Sequence, residues 1–164
     1  MTLLELMAAT TITATLMGSV VVLVRSSYSI WEAHEADMER ADVANATLRH
    51  LVRSVRQATA VTAISTAGDT SGNLSLTTET GETWSWQHTG AGTQVLFGIA
   101  PSSTDQVLAS NVDALTFVGY EADGTTTTTT VEDIHSIQCT VQVTMPAAGG
   151  STRLVSSRAW LRSW

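Results

Sequence analysis

Residues 1–24 read MTLLELMAATTITATLMGSVVVLV, and Glu5 is the only charged side chain among them. From Leu6 to Val24 the chain has 19 residues without a charge, and Arg25 follows. As an α-helix rising ~1.5 Å per residue, this run is ~28 Å long, enough to cross the core of a bilayer. A carboxylate near the start of such a segment costs free energy in lipid. The stretch therefore predicts a retained membrane-spanning helix in which Glu5 has a functional role.

The first seven residues resemble the amino terminus of mature bacterial type IV pilins and pseudopilins, which reads FTLIELM-like; here it reads Met1-Thr2-Leu3-Leu4-Glu5-Leu6-Met7. The resemblance implies that a prepilin peptidase has removed a short basic leader ending in Gly. It implies that Met1, which stands where the family usually has Phe, is the processed and N-methylated residue. It also implies that Glu5 neutralises the terminal amine of an adjacent subunit during docking. The alternative is an ordinary membrane anchor that begins at its initiator Met, with Glu5 there by chance.

The resemblance further implies a helical homo-oligomer, a filament whose core is a bundle of these helices. The monomer is expected in the inner membrane with its head in the periplasm, where a pilus assembly platform extracts it. The assembled filament is expected at the cell surface, or as a pseudopilus in the periplasm. The side chains expected to pack in the filament core are Leu3, Leu4, Leu6, Met7, Ile12, Leu16, Val20 and Leu23.

The apolar segment is rich in threonine and contains Gly18 next to Ser19. Threonine hydroxyls bond back to carbonyls one turn earlier, and Gly costs a helix ~1 kcal/mol relative to Ala. Members of the family commonly carry a proline near position 22, where the helix extends on assembly, but this chain has Val21-Val22 there. We therefore predict that the segment that extends on assembly lies between Ala14 and Ser19.

Beyond Arg25 the sequence predicts an amphipathic helix over residues 26–60 that continues into the head. Apolar residues recur at spacings of three and four, and the part from Leu48 to Val55 is expected to pack under a sheet. The part from Tyr28 to Met38 has no evident cover. The charged residues of this helix include an acidic group followed by a basic group: Glu32, Glu35 and Glu39, then Arg49, Arg53 and Arg56.

These two charged groups have two interpretations. In the first interpretation, they form a solvated helix face with ion pairs one turn apart, each of which stabilises the helix by ~0.2–0.5 kcal/mol. Alternatively, the acids of one subunit meet the arginines of another, which makes the groups inter-subunit contacts. The sequence does not decide between the two.

Residues 61–164 predict a β-rich globular head, because turn residues separate short alternating segments. The clearest strand alternates apolar Ile137, Cys139, Val141 and Val143 with polar residues. One long helix followed by a small antiparallel sheet is an α+β fold. The chain thus has three predicted parts: residues 1–25, a hydrophobic membrane or filament-core helix; residues 26–60, the amphipathic helix; and residues 61–164, the head. Strands are predicted at residues 74–78, 83–88, 94–99, 114–121, 134–145 and 153–161.

The net charge of −7 comes from 15 acids and eight bases, all of which are arginine. From Ala60 onward, nine acids face three arginines, so the acidity belongs to the head. Binding to a nucleic-acid duplex draws on many contacts from Lys and Arg to phosphate. No nucleic acid is therefore expected at the head.

The carboxyl half also resembles minor pseudopilins and minor pilins, the closest types being the J-type pseudopilin and the W-type minor pilin. This resemblance covers about the last third of the chain together with the end of the helix. It is carried by Leu115-Thr116-Phe117 to Tyr120, by Asp123-Gly124, by the strand from Ile137 to Val143, and by Arg158-Ala159-Trp160-Leu161-Arg162.

Six consecutive threonines follow Asp123-Gly124: Thr125, Thr126, Thr127, Thr128, Thr129 and Thr130. They form either a β-prone edge or hairpin arm, or an exposed O-glycosylated loop. We favour the edge or hairpin arm. The single cysteine, Cys139, excludes a disulfide within the chain and is expected to be a small buried side chain.

Acidic residues near the threonines, together with His135, do not fit the spacing of a compact calcium loop, so a solvated acidic edge is favoured. The four histidines are scattered, which predicts no zinc site. The sequence shows no nucleophile–base–acid set and no phosphate loop. We therefore expect no catalytic residues, no metal and no cofactor.

The function that these patterns indicate best is a structural subunit of a type IV pilus-like extracellular filament, and not an enzyme. The alternative is a minor pseudopilin of a type II secretion system. A membrane-tethered binding or enzymatic domain is a third hypothesis, favoured by nothing beyond the anchor.

Overall fold

The computed structural model describes residues 2–101, 106–147 and 149–162. The chain has an α+β fold, in which one long N-terminal helix packs its last turns against antiparallel sheets. This confirms the predicted fold class and is consistent with a pilin-like fold. The elements in chain order are α1 (Leu3–Gln57), β1 (Ala58–Ile64), β2 (Asn73–Thr78), β3 (Thr83–His88), β4 (Gln94–Ile99), β5 (Gln106–Ser110), β6 (Ala114–Tyr120), β7 (Thr127–Thr128), β8 (Ser136–Met145) and β9 (Ser151–Trp160).

Helix α1 has 55 residues and is therefore ~82 Å long. It ends at Gln57, three residues before the predicted boundary, because Ala58 adopts an extended conformation with φ −78° and ψ 143°. The chain passes directly into β1, where Val61 pairs with Leu76 of β2. Thr59 continues the spacing of the helix in sequence, but strand pairing determines its structure.

The head contains two sheets rather than the single sheet that was expected. A five-stranded sheet has the order β1-β2-β3-β4-β5, and a four-stranded sheet has the order β7-β6-β8-β9. They meet where Ser71 forms a parallel bridge to Leu115. The Gly72 N–H donates to the Leu115 carbonyl at 2.9 Å, and a Cβ at Gly72 would lie 2.6 Å from that oxygen. Glycine is therefore required at this junction.

The core lies between the last turns of α1 and the inner faces of both sheets. Leu51 and Val55 are fully buried, and so are Ile137, Cys139 and Val141 on β8. The predicted alternation along β8 is confirmed, because the residues between these are only partly buried. The predicted packing of the helix from Leu48 to Val55 is confirmed as well.

Most of the predicted strands are present with small shifts at their ends. Strands β3 and β4 have the predicted bounds, and β2, β6, β8 and β9 differ from them by one or two residues. Strands β1, β5 and β7 were not predicted. All three lie at an edge of their sheet, where they pair with one neighbour only.

Candidate functional site

The first part of α1 presents an apolar surface on all sides. Between Leu3 and Val24, its large apolar side chains are 47% to 80% exposed. An 18-residue window of α1 has a mean hydropathy of 1.9, and none of it is buried. By length and composition, the helix can cross a membrane. The eight side chains assigned above to filament-core packing all lie on this surface: Leu3, Leu4, Leu6, Met7, Ile12, Leu16, Val20 and Leu23.

Glu5 lies in the first turn of α1, and its carboxylate caps the helix. The Thr2 N–H donates to Glu5 Oε2 at 2.9 Å, and the Glu5 N–H donates to Thr2 Oγ1 at 3.4 Å. This reciprocal capping box stabilises the helix start and holds a negative charge at the positive end of the helix dipole. The T-x-x-E pattern of Thr2 and Glu5 is visible in the sequence and is the signal from which this capping box could be predicted. Met1, the predicted site of processing and methylation, lies outside the described residues.

The polar side chains of the apolar segment are satisfied within the helix itself. Thr13 Oγ1 donates to the Ala9 carbonyl at 2.8 Å, and Ser19 Oγ donates to the Leu16 carbonyl at 2.8 Å. Such internal bonds let hydroxyls lie in lipid without an outside partner. The helix of the single chain is continuous through Gly18. Extension of the helix between Ala14 and Ser19 concerns the assembled state and stays a prediction.

The part of α1 between the apolar segment and the head is a helical stem that touches little else. Tyr28, Ile30, Trp31 and Met38 are 56% to 67% exposed along it. Near Met38 the helix meets the head, because the Ala147 N–H donates to Asp37 Oδ1 at 3.0 Å. Among the described residues, the expectation that the part from Tyr28 to Met38 lacks cover is confirmed for its large apolar side chains.

The acidic and basic groups of α1 are all exposed: Glu32, Glu35, Glu39, Arg49, Arg53 and Arg56. Within residues 2–101, 106–147 and 149–162, the only ion pair joins Arg162 Nη1 to Glu79 Oε2 at 2.8 Å, in the head. The exposure of these residues agrees with a solvated helix face, but none of them forms an ion pair among the described residues. Contacts between subunits stay a prediction.

The threonine run lies at the edge of the four-stranded sheet. Thr127 and Thr128 form β7, so the β-prone edge is present, whereas glycosylation stays a prediction. The Asp123 carboxylate accepts bonds from the hydroxyl and the N–H of both Thr126 and Thr125. These bonds, led by the Thr126 hydroxyl, hold the pKa of Asp123 well below its usual range. Asp123 therefore stays ionised and organises this loop.

Arg158 joins this loop to the sheet. Its guanidinium lies 3.8 Å from the centre of the Tyr120 ring and donates to the Gly124 carbonyl at 2.7 Å and to Ser136 Oγ. Several residues that carry the resemblance to minor pseudopilins thus form one contact cluster at the end of the head.

Other residues considered above form no reactive site. Cys139 is fully buried, and burial raises the pKa of its thiol to about 12, which leaves it un-ionised. In the part of the chain that the structure describes, no three side chains of His, Cys, Asp or Glu come together as metal ligands. An open groove of about 360 Å³ separates α1 from β5, and its lining is small or apolar: Val43, Ala46, Thr47, Val107, Leu108, Ala109 and Ser110.

Comparison with known proteins adds no assignment. No protein-family model matches the chain, and no curated protein matches it.

Proposed function

We propose that this chain is a structural subunit of a type IV pilus-like filament. The observation that carries the proposal is the exposed apolar surface that surrounds the first part of α1, together with the exposed large apolar side chains that follow along the stem. A simple anchor needs only ~20 apolar residues. Trp31 and Met38 lie beyond that length and are more than 60% exposed. A bundle of identical helices covers both the apolar segment and the stem.

The resemblance of residues 1–7 assigns the docking role to Glu5. Two opposite unit charges ~4 Å apart attract by ~4 kcal/mol at an effective dielectric of ~20, before desolvation. This attraction is enough to select a register between subunits. Cohesion comes from packing of the apolar side chains, since lipid and protein are equally apolar and close contact decides association. The Glu5 carboxylate already accepts a bond from the Thr2 N–H, which orients it at the helix end.

The experiment is to replace Glu5 with Gln and to count fibres on cells that produce the full chain. We expect membrane insertion and folding of the head to persist while fibre yield falls by at least ~100-fold, since this pair is made only in the assembly. Glu132→Gln, which removes an exposed acid of the head, is the matched control and leaves fibre yield unchanged.

A second control separates docking from capping. Thr2→Ala removes the hydroxyl that accepts the Glu5 N–H, at a cost of ~1 kcal/mol to the helix end. Gln at position 5 can still accept the Thr2 N–H, so a larger loss of fibres in Glu5→Gln than in Thr2→Ala assigns the effect to the charge and not to the cap. Fibres of normal yield and pitch from Glu5→Gln would refute the docking role.

A minor pseudopilin of a type II secretion system is the second candidate, and the contact cluster around Arg158 favours it. The residues that resemble minor pseudopilins hold the distal loop of the head through Tyr120 and Gly124. Immunogold labelling of fibres distinguishes the two functions. Label along the whole shaft supports the filament subunit, whereas label confined to the tip or to the periplasm supports the minor subunit.

A further inference from the structure

Two charged triplets on α1 have the same internal spacing. Each places charges at positions i, i+4 and i+7, and each acid precedes its basic counterpart by 14 residues. Fourteen residues of helix correspond to ~21 Å along the axis. We call the first triplet the acidic stripe and the second the arginine stripe; they comprise Glu35, Glu39 and Asp42, and Arg49, Arg53 and Arg56.

Both stripes lie on the side of α1 that faces away from the head. All six residues are exposed, whereas Leu48, Leu51 and Val55 are buried against the sheets. At ~100° per residue, 14 residues rotate the helix by ~1,400°, which is ~40° short of four full turns. The two stripes therefore lie on the same side of the helix. They are therefore available together to a neighbour that approaches α1 opposite the head.

Neither stripe forms an ion pair among the described residues. Like charges one turn apart repel each other and destabilise an isolated helix. A rigid helix holds each acid ~21 Å from its basic counterpart and the nearest ends, Asp42 and Arg49, ~10 Å apart along the axis, so the counterparts cannot meet within one molecule. Among the described residues, the single ion pair lies in the head, between Arg162 and Glu79.

We propose that the acidic stripe of one copy docks on the arginine stripe of a second copy that is displaced by 14 residues along the helix. This proposal rests on the proposed function and adds the contact that fixes the axial offset. Glu35 then faces Arg49, Glu39 faces Arg53 and Asp42 faces Arg56. Glu32, which belongs to the acidic group named above, comes level with Ala46 and takes no part.

The same displacement also brings apolar side chains together. Met38, 67% exposed, comes level with the half-buried Val52 beside the charges. The contact of Glu5 with residue 1 of another copy requires an offset of only ~6 Å. The two contacts therefore involve different neighbours, and each subunit has at least two kinds of neighbour along the filament.

Cross-linking tests the offset in the full chain. The double variant Glu39→Cys with Arg53→Cys is treated on cells with a bis-maleimide whose reach is shorter than the ~21 Å between these positions in one helix. We expect a ladder of covalent multimers. Cys139 is fully buried and does not compete. Glu32→Cys with Arg53→Cys, an exposed pair 21 residues (~31 Å) apart on the helix, is the matched control and gives no ladder.

Charge reversal tests the electrostatic contact. Arg53→Glu and Glu39→Arg each place like charges in contact, which lowers fibre yield by ~10-fold, and the double reversal restores it to within ~3-fold of the parent. Arg153→Glu, at an exposed arginine of β9, leaves the yield unchanged.

The outcomes separate this inference from the proposed function. Fibres without the ladder, or single reversals that assemble normally, overturn the 14-residue offset and leave the filament subunit standing. An unmodified chain that forms no fibres overturns both. A ladder together with rescue by the double reversal supports both.

Discussion

We call residues 3–24 the first half of α1 and residues 44–57 the second half. The two halves have the same secondary structure but opposite surroundings. Leu16 in the first half is 61% exposed, whereas Leu51 in the second half is fully buried. In the second half, the buried residues follow one another at spacings of three and four along one side, the pattern of a helix packed on a single surface. In the first half, apolar side chains point in every direction.

This difference shows where each half obtains its stability. The head of the same chain buries the second half, so its packing is present in the monomer. A helix that is apolar on all sides needs apolar surroundings on all sides. Within the described residues, nothing packs on the first half, so its apolar surface is left uncovered there. One helix therefore supports folding of the head at one end and leaves an exposed apolar surface at the other.

The largest effect should come from the same substitution made in each half. Leu51→Ala leaves a cavity in the core and should lower the free energy of unfolding of the head by ~2–5 kcal/mol. Leu16→Ala should change it by less than ~0.5 kcal/mol, because Leu16 makes no contact with the head. Urea unfolding of the full chain in mild detergent, followed by Trp fluorescence, measures both. Equal effects would show that the two halves are not independent.

Limited proteolysis should locate the border between the halves. Trypsin cleaves only where a segment unfolds locally. Local unfolding of the stem after Arg25 leaves the core intact, whereas local unfolding at Arg53 exposes the core residues Leu51 and Val55. We expect cleavage after Arg25 to be at least ~100-fold faster than after Arg53. Mass spectrometry of a time course gives the two rates. Arg25→Gln should abolish the early cut after residue 25 and leave the other cuts unchanged. Early cleavage after Arg53 would contradict the prediction that the second half is stably packed.

The strands that could be predicted from the sequence are those whose own residues carry an alternating pattern. Strand β8 is such a case, because its apolar residues recur at every second position between turn residues. Strand β1 is the opposite case. Thr59 lies four residues after Val55, so it extends the helical spacing, and only the pairing of Ala58 with Thr78 shows that the strand has begun. Tertiary pairing overrides the local pattern there.

The candidate site likewise has features that are visible in the sequence and features that arise only in the folded chain. The acid near the start of α1 and the spacing of the charged groups are visible in the sequence. That Arg49, Arg53 and Arg56 form no ion pair among the described residues is a property of the folded chain. The two sheets of the head meet at the close approach of Gly72 to Leu115, which leaves no pattern in the sequence.

The smallest predicted effect uses the two histidines of α1, one packed on the head and the other on the exposed stem. His50 packs edge-on against Trp86 and Phe97, with ring centres 5.9 and 5.4 Å away, and its Nε2 has no hydrogen-bond partner among the described residues. Burial, and secondarily the charge of Arg53, lowers the pKa of His50 below its ordinary value of 6.5. His34 lies exposed on the stem.

Protonation of His50 is therefore easier in the unfolded chain than in the folded one. The stability that this causes is fully present above pH 6.5 and is lost as the pH falls through 6.5 toward the folded pKa, with a slope of at most ~1.4 kcal/mol per pH unit. His50→Leu should flatten the pH profile of urea unfolding between pH 7 and pH 5. His34→Leu, which changes an exposed side chain outside the buried core, is the matched control and should leave the profile unchanged. A profile that changes with His34→Leu and not with His50→Leu would contradict the prediction.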